Sequence, residues 1–152
     1  MSSRFNPYAD APEGYAAMTA LEKYLGTTGL GTLLHLVKLR VSQINGCAFC
    51  IDMHWKDLRA AGEGEQRLYG LDAWHESPYY TDRERAALAW AEAVTDLRDG
   101  HVSDAAFEAV RTHFHAKELA DLTLAVTTIN AWNRLAIAAR STPGKYQPPK
   151  HG

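Results

Sequence analysis

Apolar residues in this chain recur at three- and four-residue intervals, and no stretch alternates convincingly at period two. Tyr15, Met18, Leu21 and Leu25 form one stripe. Leu33, Leu36, Val37, Val41 and Ile44 form a second, with Arg40 inside it, and Leu119, Leu122, Val126, Ile129 and Ile137 a third. Stripes of this kind are buried by packing helix against helix. The expected fold class is all-α, a compact bundle of about six to seven helices. At 152 residues the chain suits one domain with a sizeable core.

Turn signals divide the chain. An irregular N-terminal arm is expected over residues 1–12, where Pro7 and Pro12 interrupt a segment with no apolar period. A single helical domain is expected over 13–140 and an extended or disordered tail over 141–152, opened by Ser141-Thr142-Pro143-Gly144. Within the domain, helices are expected over about 13–25, 30–44, 47–61, 65–71, 81–97, 103–114 and 117–140. Asn45-Gly46, Gly62 and Asp99-Gly100 separate some of them, and Thr81 with Glu84 has the capping-box spacing.

The two cysteines, Cys47 and Cys50, stand at the start of the third of these helices. Unpaired N–H groups and the macrodipole favour a thiolate there. A helix turns ~100° per residue, so Cys50 lies ~60° and His54 ~20° around the axis from Cys47. Three readings fit that shared face. One is a redox dithiol with a proton acceptor one turn away. Another is half of a zinc site, which two histidines would complete; His54 and His35 are the candidates. The third is a pair of small buried hydrophobes beside a satisfied histidine. A c-type haem would need histidine directly after Cys50.

His35 lies between Leu34 and Leu36 on the preceding helix. In an antiparallel hairpin it comes nearer to His54 than to either sulfur, placed to serve as a second base. The plain alternative is a helix-face histidine bonded to solvent. Other residues carry weaker signals. His113 and His115 suit a helix end. Trp74-His75 and His101 suit exposed loops, Arg83-Glu84-Arg85 a solvated helix start, and Trp90 and Trp132 core or interface. Tyr24 is a weak pointer toward the next helix, and Asn133 on an apolar face implies a buried hydrogen bond.

The formal charge of −2 gives no reason to expect nucleic acid or an anionic membrane as partner. No apolar run approaches the ~20 residues that span a bilayer, and the N-terminus has no signal-peptide core. Two cysteines are too few for a secreted disulfide framework. A cytoplasmic location is expected, where a CxxC pair is redox-active or metal-binding more often than structural.

The run Leu33–His54, with its Ser-Gln-Ile-Asn-Gly-Cys-x-x-Cys-x-x-x-His core, resembles the alkylhydroperoxidase D-like group of the carboxymuconolactone decarboxylase superfamily. The stretches Ala73 to Pro78, Thr81 to Thr95 and Ile129 to Arg134 resemble it as well, and the likeness covers roughly residues 13–140. The resemblance implies an all-helical subunit assembled as a homo-oligomer, trimer or hexamer. It implies a thiol peroxidase with no bound cofactor, in which Cys50 attacks the peroxide, Cys47 closes the disulfide and His54 relays protons. It also implies an external dithiol, on a lipoyl domain or a thioredoxin-type protein, as reductant. One position departs from the group: its relay glutamate falls on His35. The helix-start argument favours Cys47 as the attacking thiol, whereas the resemblance favours Cys50.

Overall fold

The computed structural model describes residues 2–98 and 100–149. Its helices are α1 (Pro7–Asp10), α2 (Pro12–Leu25), α3 (Thr32–Asn45), α4 (Ala48–Ala60), α5 (Glu65–Tyr69), α6 (Asp82–Thr95), α7 (Asp104–Arg111) and α8 (Ala116–Ala139). A 3-10 turn, Leu71–Ala73, follows α5. There is no strand among the described residues. The fold class is all-α, with the CxxC pair at the N-terminus of a central helix. Asp99 of the expected turn and residues 150–152 of the expected tail lie outside the described residues.

The middle of the bundle is α3, which packs against α4, α6 and α8. Its apolar residues serve two clusters. Val37 and Val41 join Phe114, Val126 and Ile129 on one side. Leu36 and Leu39 join Leu58, Leu68, Leu71, Trp74 and Leu88 on the other. Each fully buried leucine or valine stabilises the fold by ~1.5–3 kcal/mol. Arg40, inside the stripe, is neutralised by Glu92 at 2.8 Å and Asp72 at 2.5 Å.

Three expectations are corrected. The arm is not wholly irregular: Asn6 accepts the N–H groups of Tyr8 and Ala9, and Pro7 opens the one-turn helix α1. Trp74 is not exposed. Its ring is 4% exposed, stacks on His75 at 3.7 Å, and donates Nε1–H to Glu92 at 2.7 Å. Nor is 83–85 simply a solvated start. The guanidinium of Arg83 lies 4.4 Å over Phe114, Glu84 pairs with Arg67, and Arg85 donates to the carbonyls of Trp74, His75 and Ser77. The Thr81–Glu84 capping box is present.

The turn between α3 and α4 sets the site. Gly46 has φ 68°, a left-handed conformation that glycine adopts without a Cβ penalty. The Cys47 N–H then reaches back to the Ser42 carbonyl at 3.0 Å, closing α3 in a Schellman arrangement. Asn133, fully buried on α8, donates to Ser42 Oγ at 3.0 Å and accepts from Asn45 Nδ2 at 2.9 Å. That side chain ties α8 to the turn. Asn133→Ala should therefore destabilise the protein by about 2 kcal/mol, as a cut buried network does. Urea unfolding measures it; an unchanged midpoint would mean that the network does not hold the turn.

Candidate active site

Cys47 is the N-cap of α4, with φ −83° and ψ 94°, and its sulfur accepts the N–H of Cys50 at 3.3 Å. Cys50 lies in the first turn. The two are joined as a disulfide, with Cα atoms 5.4 Å apart. Both are buried, but they face different openings. Cys50 lines a cavity of about 540 Å³ together with His54, His35, Phe49 and Trp132. Cys47 lines a second opening beside Arg4 and Arg140. The narrow shared face thus holds for Cys50 and His54, one turn apart, while Cys47 sits at the helix cap.

His54 is 5% exposed, and neither of its ring nitrogens has a hydrogen-bond partner. His35 is half-buried, and its Nδ1 is likewise unpartnered. The hairpin brings the two rings to 6.2 Å between centroids, tilted by 50°. They are neighbours, as expected, without a hydrogen bond between them. Burial is the main force on both. It lowers the pKa of His54 to about 3, with the Lys38 ammonium and His35 adding to the effect. Burial and then Lys38 also lower that of His35, against the opposing pull of Asp57 and Glu22. Both imidazoles are neutral at pH 7, and neither keeps the free-solution value near 6.5 that the sequence suggests.

Besides Trp132, four further residues shape the cavity. Lys38 is 4% exposed and is paired with Glu22 of α2. Trp132 of α8 donates Nε1–H to the other Glu22 oxygen at 3.0 Å. Asp57, one turn beyond His54, accepts from the Tyr146 hydroxyl at 2.6 Å. Burial and that carboxylate raise the Tyr146 pKa. A signal existed for three of the four: Glu22 and Lys38 are charges set inside apolar stretches, where an uncompensated charge is costly. Asp57 shares a helix face with His54 at spacing three. Tyr146 had no signal, because it comes from a tail without periodicity.

The remaining candidates lie elsewhere. Tyr24 donates to Asp121 on α8 at 2.7 Å and does not face the cavity. His115 begins α8 as its N-cap instead of ending α7, accepting the Glu118 N–H. Trp90 donates to Thr123 at 3.0 Å. The sulfurs of the CxxC pair are bonded to each other, and the donor cluster that includes His35 and His54 contains Asp57 and no cysteine.

Two measurements check the electrostatics. Folded His54 takes a proton only near pH 3, whereas the unfolded chain takes it near pH 6.5. Between those values the unfolded state holds more protons. Stability is therefore complete above about pH 6.5 and falls by up to about 1.4 kcal/mol per pH unit below it. Urea midpoints from pH 7.5 to 5 follow this slope, and a flat profile would mean that His54 is not buried neutral. Glu22→Gln leaves the Lys38 ammonium buried beside a neutral amide. The expected loss is about 2 kcal/mol, below the ~3–5 of a fully buried pair because Glu22 is partly exposed. A melting temperature equal to wild type would contradict it.

The sequence profile of the Carboxymuconolactone decarboxylase family matches residues 12–93. The protein YdfG of Bacillus subtilis (strain 168) is 45% identical over 139 residues, which cover 91% of this chain and 95% of YdfG. The crystal structure of ATU0492 from Agrobacterium tumefaciens, described as a candidate antioxidant defence protein AhpD, superposes with a TM-score of 0.91. It is 44% identical and covers 95% of this chain and 100% of its own. A peroxidase-related protein from Silicibacter sp. TM1040 superposes with a TM-score of 0.80 at 26% identity, over 91% of this chain and 74% of its own. Together with the helical bundle and the CxxC pair at the head of α4, these similarities place the chain in the carboxymuconolactone decarboxylase family, among its AhpD-like members.

Proposed function

We propose that the protein is a thiol peroxidase that reduces alkyl or hydrogen peroxides through a Cys47/Cys50 dithiol–disulfide cycle. The observation that carries this reading is the opening of Cys50 and His54 into one cavity with Cys47 directly behind. The Cys50 sulfur attacks one peroxide oxygen, the O–O bond breaks, and the other oxygen leaves as alcohol or water. His54 accepts the thiol proton and returns it to the leaving oxygen. Its low proton affinity disfavours keeping that proton, which suits a transient carrier. The Cys47 thiol then displaces hydroxide from the Cys50 sulfenic acid, forming the disulfide and releasing water.

His35 assists His54. Its ligand atom lies within 4.8 Å of that of His54, a separation one bridging water spans. The Lys38 ammonium lines the same cavity and favours the thiolate and the departing alkoxide. An external dithiol, lipoyl-type or thioredoxin-type, restores the pair by thiol–disulfide exchange. The proposed cycle needs no bound cofactor. The subunit works in the cytoplasm as a homo-oligomer, a trimer or hexamer. Among the described residues, no helix is long and apolar enough to cross a membrane.

A second reading, a dithiol oxidoreductase or redox sensor without peroxidase turnover, draws support from the missing hydrogen bond between His35 and His54. Peroxide consumption with dihydrolipoamide separates the two. Under the peroxidase reading Cys50→Ser abolishes it; full activity in that variant sinks the mechanism. His35→Glu keeps or raises the rate and His35→Ala lowers it. Equal rates in all three proteins remove His35 from the relay.

A further inference from the structure

Beside the disulfide, His35 of α3 and His54 and Asp57 of α4 each present one ligand atom, all within 4.8 Å of one another. Two observations distinguish this cluster from ordinary buried polar groups. Both ring nitrogens of His54, and Nδ1 of His35, are buried without a hydrogen-bond partner. A buried imidazole normally finds at least one. In addition, the Asp57 carboxylate is oriented by the Tyr146 hydroxyl at 2.6 Å, as outer-shell donors orient metal-binding carboxylates. The ammonium of Lys38 nearby is balanced by Glu22, so the charge of Asp57 is left to face the cluster.

The geometry points to a zinc site formed by His35, His54 and Asp57, with solvent in the fourth position from the cavity. Two imidazole nitrogens and one carboxylate oxygen suit zinc with one open position, whereas magnesium and calcium prefer all-oxygen shells. Donors at ~2.0–2.1 Å around a tetrahedral zinc lie ~3.4 Å apart, so the widest gap closes by at most about 1.4 Å. Rotation of side chains supplies that movement, since no hydrogen bond restrains the His54 ring. The site uses no sulfur and is therefore distinct from a Cys2His2 centre. It occupies both histidines of the proposed relay, so bound zinc and peroxide turnover exclude each other. The binding itself does not depend on that turnover.

Zinc titrated into the disulfide form, in competition with a chromophoric chelator, tests the site without free thiols. One zinc per chain is expected, with affinity weakened about tenfold or more in His35→Gln and in Asp57→Asn. The Cys47→Ser/Cys50→Ser double variant should bind as the disulfide form does. Thermal unfolding of each metal-free variant reports whether it folds. Asp57→Asn leaves the core intact and decides the matter if His35→Gln does not fold. No zinc bound to the disulfide form, equal affinity in Asp57→Asn, or binding that requires reduced cysteines would overturn the site. Loss of peroxide reduction alone would leave the titration unchanged, so the two proposals fail separately.

Discussion

The reversal at Gly46 governs the molecule. Its left-handed conformation lets the Cys47 N–H close α3 and lets α4 begin at once, so both cysteines stand at a helix start. The reversal is braced from outside by Asn133, a fully buried amide on α8 that binds both Ser42 and Asn45. Because α3 is the helix on which α4, α6 and α8 pack, the same turn fixes core and site together. A shift there would move His35 on α3 away from Cys50 and His54 on α4 and disturb both apolar clusters.

Burial then decides the chemistry. Histidines in solution titrate near pH 6.5, but the cavity that isolates Cys50 also desolvates His54 and His35. The Lys38 ammonium reinforces the effect, and Glu22 keeps that ammonium tolerable inside the protein. Neutral, unpartnered imidazoles can carry a proton briefly or bind a metal; they cannot hold a standing charge. Position 35, where the family resemblance implies a relay carboxylate, holds an imidazole in this chain. Here negative charge comes instead from Asp57 and Glu22, on other turns and other helices.

Family membership and the AhpD-like fold give the cysteine pair its redox context, while the cavity gives it direction. Cys50 faces the apolar, partly aromatic space and Cys47 faces a separate opening flanked by arginines. The two sulfurs are chemically equivalent in sequence but differ in what can approach them. Under the proposed peroxidase reading that asymmetry favours Cys50 as the attacking thiol, although the helix-cap position alone favours Cys47.

Helical periodicity, turn residues and capping signals were sufficient to place the main helices, the CxxC pair at the head of α4, the Thr81 box and the buried bond of Asn133. These are local properties, written in spacing and backbone preference. Even the approach of His35 to His54 followed from hairpin geometry. Other features depended on which surfaces meet. Trp74 looked exposed because its loop has no period, yet docking on α3 and α6 buries it. Glu22 and Lys38 pair across α2 and α3, and Tyr146 returns from the tail to Asp57. Such contacts join residues far apart in the chain, and their energy comes from desolvation that exists only after packing. The sequence by itself determined the helices and the reactive pair; the tertiary structure alone decided the charge and accessibility of the groups around that pair.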